Sequence, residues 1–169
     1  RTADLLADER YRDVLSRFLE HASAVATEVI GRPIDLAARV RRREEPSLAE
    51  YAEAIALIIA VELAQTEILS EQFSLPIADG RMAYGYSLGE ITALAAAGTI
   101  TCDDALRIPL TMAADCAALA EGVTMGILFS RAEALDVRAV ERLCLRINAE
   151  GYGVIGISSI LAPNSLLLL

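Results

Sequence analysis

Apolar residues recur at helical spacing near the start of the chain. Tyr11, Val14, Leu15, Phe18, Leu19, Ala22, Val25, Ala26 and Val29 fall on one stripe. This predicts a long amphipathic helix over residues 2–30, ended by Gly31 and Pro33. A charged connection follows. Ser47 and Glu50 then form a capping box behind Pro46, opening a helix from Leu48 to about Phe73 that stops before Pro76. Gly80 leads into a short strand-like run, Arg81 to Tyr84, and an Ala/Leu-rich helix runs from Leu88 to Ala97, with Gly98 as its cap. Thr101 and Asp104 pair at the start of the next helix, which reaches about Ala120 and carries a kink at Pro109. The texture changes at Gly122. Val123 to Phe129 reads as strand, Ala132 to Leu145 as helix, Val154 to Ser158 as strand, and Leu166 to Leu169 as a last apolar run. The order predicts an α/β body over residues 1–121 and a smaller α+β layer over residues 122–169. Four consecutive leucines do not end a soluble domain exposed, so this last run is expected either to pair inside the fold or to belong to a longer protein.

Composition narrows the function classes. Of the 169 residues 54% are hydrophobic, enough for a sizeable core, but only 5% are aromatic, so alanine and aliphatic side chains must fill it. The net charge of −9 argues against nucleic-acid binding. The one basic cluster, Arg39 to Arg43, runs directly into Glu44 and Glu45 and reads as a solvated loop or helix end. Every cationic residue is arginine, which excludes a lysine nucleophile or Schiff base. Cys102, Cys116 and Cys144 are widely spaced and odd in number, as free thiols in a reducing, cytoplasmic setting would be. With no Cys or His cluster, no metal site is expected. The longest apolar run, Ala54 to Val61, is too short for a bilayer, so no membrane association is expected.

Candidate chemistry centres on Gly85-Tyr86-Ser87-Leu88-Gly89. This is a G-x-S-x-G sequence between a strand-like run and a helical one, the signature of a nucleophile elbow. A nucleophilic serine must stand clear on a strained turn, and small residues two before and two after permit that turn. The helix that follows aims its amino end at the reacting centre, where backbone N–H groups stabilise an oxyanion.

From Tyr84 to Ile100 the sequence resembles the elbow of malonyl-CoA:acyl-carrier-protein transacylases and of the acyltransferase domains in fatty-acid and polyketide synthases. Those share G-H-S-L-G-E, an Ala-rich helix and A-G. Asp103-Asp-Ala-Leu-Arg107 is similar to their E-D-A-L-R, and Glu50-Tyr-Ala-Glu-Ala54 to their helix before the elbow. Gly122 to Phe129 and Ala162-Pro-Asn-Ser165 resemble parts of their ferredoxin-like subdomain. The resemblance implies a hydrolase-like α/β body plus part of that subdomain, with ping-pong acyl transfer as the chemistry. An acyl group would pass from an acyl-CoA thioester to Ser87 and then to the phosphopantetheine thiol of an acyl carrier protein. No bound cofactor is implied. Ser87 would be the nucleophile and the Leu88 N–H half of the oxyanion hole.

Three departures refine this expectation. Tyr86 replaces the histidine that usually precedes the serine. Met112 stands where the family's malonyl-binding arginine aligns, which favours uncharged acyl groups, with Arg107 the nearest cation on that helix. Tyr86, Met112 and Arg107 are thus the expected substrate-pocket residues. The family's opening strand and catalytic histidine have no counterpart in these residues, so the chain is expected to be the middle portion of a longer protein. His21, the only histidine, reads as an ordinary helix residue. The competing expectations are a non-catalytic docking or structural module, and a serine esterase.

Overall fold

The computed structural model describes residues 2–169, with the side chain of Ala78 left out. Helix dominates, and the described residues contain one small antiparallel sheet of three strands. They divide into two compact units, one ending at Ala118 and the other spanning Leu119–Leu169.

Every regular element described in the first unit is a helix. α1 (Thr2–Ala7) and α2 (Glu9–Ile30) replace the single long helix expected over residues 2–30. Asp8 causes the break, because its carboxylate accepts the Arg10 N–H and caps α2. Gly31, at φ 77°, closes α2 in the left-handed region. The charged connection contains a further helix, α3 (Leu36–Arg42). Asp35 caps it, and Leu36, Ala37 and Val40 are buried beneath its arginines. Two hydroxyls of α2 receive the incoming chain, Thr27 accepting the Ile34 N–H and Ser23 the Leu36 N–H.

α4 (Tyr51–Phe73) follows a single 3-10 turn at Leu48–Glu50 closed by the Ser47/Glu50 capping box. α4 packs along α2, and Leu15, Leu19, Ala56, Ile59 and Leu63 are buried at the heart of the core. α5 (Leu88–Ala96) and α6 (Cys102–Ala120) complete the unit. Thr101 and Asp104 exchange hydrogen bonds at the start of α6, and the helix runs on through Pro109, which is itself buried.

The strand expected at Arg81–Tyr84 does not form. A strand is stabilised by its neighbours, and all three strands of the described residues lie in the other unit. Residues 81–84 instead run as irregular, exposed backbone.

In the second unit, β1 (Gly126–Phe129), β2 (Ile157–Ala162) and β3 (Ser165–Leu168) pair antiparallel in the order β1-β3-β2. The leucine-rich run is therefore the central strand, paired on both sides, with Leu166 opposite Leu128 and Ile160. α7 (Val137–Asn148) begins five residues later than the helix expected from Ala132, because Asp136 caps it through the Ala139 N–H. Val140 and Cys144 of α7 cover Leu166.

An ion cluster ties α3 to the start of α4. The Arg39 guanidinium donates to Glu50 at 2.5 Å and to Glu53 at 2.7 Å, and Arg32 reaches Glu53 at 2.5 Å. Arg39, expected to be solvated with its neighbours, is nearly buried because it lies between these carboxylates. The Arg39 guanidinium, with the Ser47 N–H and hydroxyl, holds the Glu50 carboxyl at about 2, below its ordinary 4.5. A depressed folded value means the stabilisation exists above the unfolded value and is lost as pH falls toward the folded one. Urea melts of wild type and Glu50→Gln should therefore differ near neutral pH, with the gap closing between about 4.5 and about 2. A gap that does not change with pH would overturn this assignment.

Candidate functional site

The five-residue turn Gly85–Gly89 joins the irregular segment to α5. Ser87 stands at its apex as the N-cap of α5, with φ 55° and ψ −120°. That conformation lies outside the regions an L-residue ordinarily visits, and such strain persists only where the surroundings impose it. Two hydrogen bonds do so here, from the Gly89 N–H to the Tyr86 carbonyl and from the Glu90 N–H to the Ser87 carbonyl, each at 3.0 Å.

The glycines are not equivalent. A β-carbon at Gly85 would stand 1.9 Å from the Gly89 carbonyl oxygen, a position no side chain can occupy. At Gly89 the nearest atom to such a carbon is the Glu62 Oε1, at 3.8 Å, an ordinary contact. Gly85 is thus required by close backbone approach.

The Ser87 side chain is exposed, and its hydroxyl has no hydrogen-bond partner among the described residues. The Leu88 N–H, first of α5, is likewise unpaired among them. A free hydroxyl beside a free N–H at the positive end of a helix is an arrangement suited to attack on a carbonyl and to holding the resulting oxyanion.

A cleft of about 1200 Å³ adjoins the turn through Gly85, Tyr86 and Gly89, while Ser87 and Leu88 are not among its lining residues. Leu69, Leu75 and Ile77 give it an apolar wall, Met82, Tyr84 and Tyr86 line it from the irregular segment, and Glu62 and Thr92 come from α4 and α5. Among the described residues Arg81 is the one cation that lines it.

Of the three expected pocket residues, only Tyr86 lines this cleft. Met112 is more than half exposed on α6. Arg107 is engaged elsewhere, donating in bidentate fashion to Glu28 on α2 at 2.9 and 2.6 Å, with its Nε 3.5 Å from Asp103. The Arg107 guanidinium lowers the Glu28 pKa. The Nε2 of His21 lies 2.8 Å from Asp103, linking α2 to α6, and no hydrogen bond joins it to Ser87. Cys102 is exposed, and partial burial of its sulfur with Asp103 alongside pushes its thiol up. Among the described residues there is no cluster of three His, Cys, Asp or Glu side chains able to hold a metal, and no helix long and apolar enough to cross a membrane.

Glu62 is the residue of this site that sequence reasoning missed. It accepts the hydroxyl hydrogen bond of buried Thr92 at 2.5 Å, across thirty residues of chain. One polar position within the long apolar run of α4 was the available signal.

The fold and the turn together define a helix-rich domain that presents a strained, unpartnered serine at a helix start. No protein-family model and no curated protein matches the chain. Among solved structures, it is similar in fold to FabD from Acinetobacter baumannii, a malonyl-CoA:ACP transacylase, with a TM-score of 0.59 and 20% identity. The match covers 90% of this chain and 46% of that one, so the chain spans less than half the length of this structural neighbour. Identity at this level is a likeness of fold and a distant one.

Proposed function

We propose that the chain carries the nucleophile-bearing part of an acyltransferase with a hydrolase-like α/β body. An acyl group passes from a CoA thioester to Ser87 and then to the phosphopantetheine thiol of an acyl carrier protein. The observation that carries this reading is the Ser87 backbone at φ 55° on a turn that only glycine at position 85 permits. The distant fold similarity to FabD supports it.

In the first half-reaction the Ser87 Oγ attacks the thioester carbonyl, and its proton passes to a base. The Leu88 N–H donates to the oxyanion, which collapses to expel CoA thiol. In the second, a carrier thiol attacks the Ser87 ester and restores the hydroxyl. His21 makes no hydrogen bond to Ser87 and does not line the cleft, so the base is assigned to a group other than this residue.

The acyl group is proposed to be uncharged. A carboxylate entering a partly apolar cleft needs a paired cation. Arg107 is already occupied by Glu28, Met112 has no charge to offer, and Arg81, the cation on the cleft wall, is exposed, so it offers a carboxylate only a solvated partner. The complete protein should gain one acyl group from acetyl-CoA, mapped by peptide mass spectrometry to the segment containing Ser87. Malonyl-CoA should label it at least about tenfold more slowly. Equal or faster malonyl labelling overturns the uncharged preference, and no labelling by either overturns the acyltransferase reading in favour of a non-catalytic module.

A further inference from the structure

The contact between α4 and α5 is mostly apolar, with Leu88, Ile91 and Ala95 packed against the main core. Apolar contact is non-directional. A short helix this rich in alanine and leucine gains the same burial over a range of rotations and slides. Something directional must select one of them.

Glu62 supplies the direction. Its Oε2 accepts the hydroxyl proton of Thr92, whose side chain is buried within α5. Its Oε1 lies against Gly89, 3.8 Å from where a β-carbon would stand. Gly89 and Thr92 are three apart and so share one face of α5. One carboxylate therefore spans that face from the second glycine of the turn to the following helical turn. Hydrogen bonds to an ionised acceptor are among the stronger and more geometrically demanding ones. No buried side-chain polar atom among the described residues lacks a partner, and Glu62 is the partner that Thr92 has.

We infer that Glu62 is a positioning residue for Ser87. By holding Thr92 it sets the rotation and register of α5, and with them the Ser87 hydroxyl and the Leu88 N–H. It touches neither group and acts through the helix. The inference rests on the acyl-transfer reading for its consequence, since a misplacement of about 1 Å in a reacting group costs on the order of a hundredfold in rate. The carboxylate also opposes the negative charge that would develop at the amino end of α5. Removing its charge while keeping its acceptor oxygen should therefore not slow the reaction.

The test compares Glu62→Ala, Glu62→Gln, Thr92→Val and Thr92→Ser in the complete protein by two readouts. The first is hydrogen exchange of the α5 amides, with α2 as an internal control for global folding. The second is the rate of Ser87 acylation by acetyl-CoA. Glu62→Ala and Thr92→Val should speed exchange in α5 about tenfold or more, leave α2 unchanged, and slow acylation about ten- to a hundredfold with little change in half-saturation. Glu62→Gln and Thr92→Ser keep an acceptor and a hydroxyl, and should stay within about threefold of wild type on both readouts. Wild-type exchange in Glu62→Ala overturns the inference, as does a Glu62→Gln variant as impaired as the alanine one. If the wild type is never acylated, the acyl-transfer reading fails by itself. The α5 exchange then decides whether Glu62 seats the helix.

Discussion

Ser87→Ala is expected to gain no acyl group under conditions where the wild type gains one. Removing the hydroxyl removes the atom that forms the covalent bond, and losses of this kind exceed about a thousandfold in rate. The fold should be indifferent to the change. Ser87 is exposed, its side chain makes no hydrogen bond, and alanine meets the same backbone strain at φ 55°. Stability should therefore move by no more than about 0.5 kcal/mol. The competitor for label is Cys102, which is exposed on the first turn of α6. Burial of its sulfur and the neighbouring Asp103 carboxylate push the thiol up, so thiolate is scarce at neutral pH. Intact mass followed by peptide mapping separates the two sites. Equal labelling of Ser87→Ala, with the adduct on Cys102, would remove Ser87 as the nucleophile.

Glu53→Ala is expected to cost about 3 kcal/mol of folding stability. Glu53 is only 5% exposed and accepts from two arginines, Arg32 at 2.5 Å and Arg39 at 2.7 Å. Two carboxylates, Glu50 and Glu53, balance these two guanidinium groups. Without Glu53, the nearly buried Arg39 retains Glu50 alone, and the cluster carries an uncompensated positive charge. The lower end of the range for buried pairs applies because Arg32 is half exposed and can turn to water. Chemical denaturation of the two proteins measures the difference directly. A loss below about 1 kcal/mol would show that solvent screens the cluster.

Local requirements were legible in the sequence, and those set by distant partners were not. The tight turn at Gly85–Gly89 could be read because its demands are local. Gly85 is excluded from bearing a side chain by an atom four residues away. The long helices could be read because burial repeats along one stripe. α3 escaped because its three buried apolar residues are matched by as many arginines, and Arg39 escaped because its partners lie eleven and fourteen positions on. The extended run at Arg81–Tyr84 has strand-like residues but no strand beside it among those described, and a ladder cannot be inferred from one side. The breaks at Asp8 and Asp136 were visible in principle, since each aspartate precedes the helix it caps, but the apolar spacing runs on across both. Glu62 interrupts the apolar run of α4, but the interruption does not say what it holds. Only its meeting with Thr92 does so.

α4 gives these separate findings a mechanical connection. Glu53 and Glu62 lie nine residues apart on one unbroken helix, about 14 Å along its axis. The helix is then a rigid beam clamped by ions at one end and carrying the seat of the serine further along. A tilt of about 5° at the clamp would displace the seat by about 1 Å, the scale on which a reacting group loses its aim. Stiffness at the arginine cluster and accuracy at the serine are, through this beam, one mechanical property measured at two places.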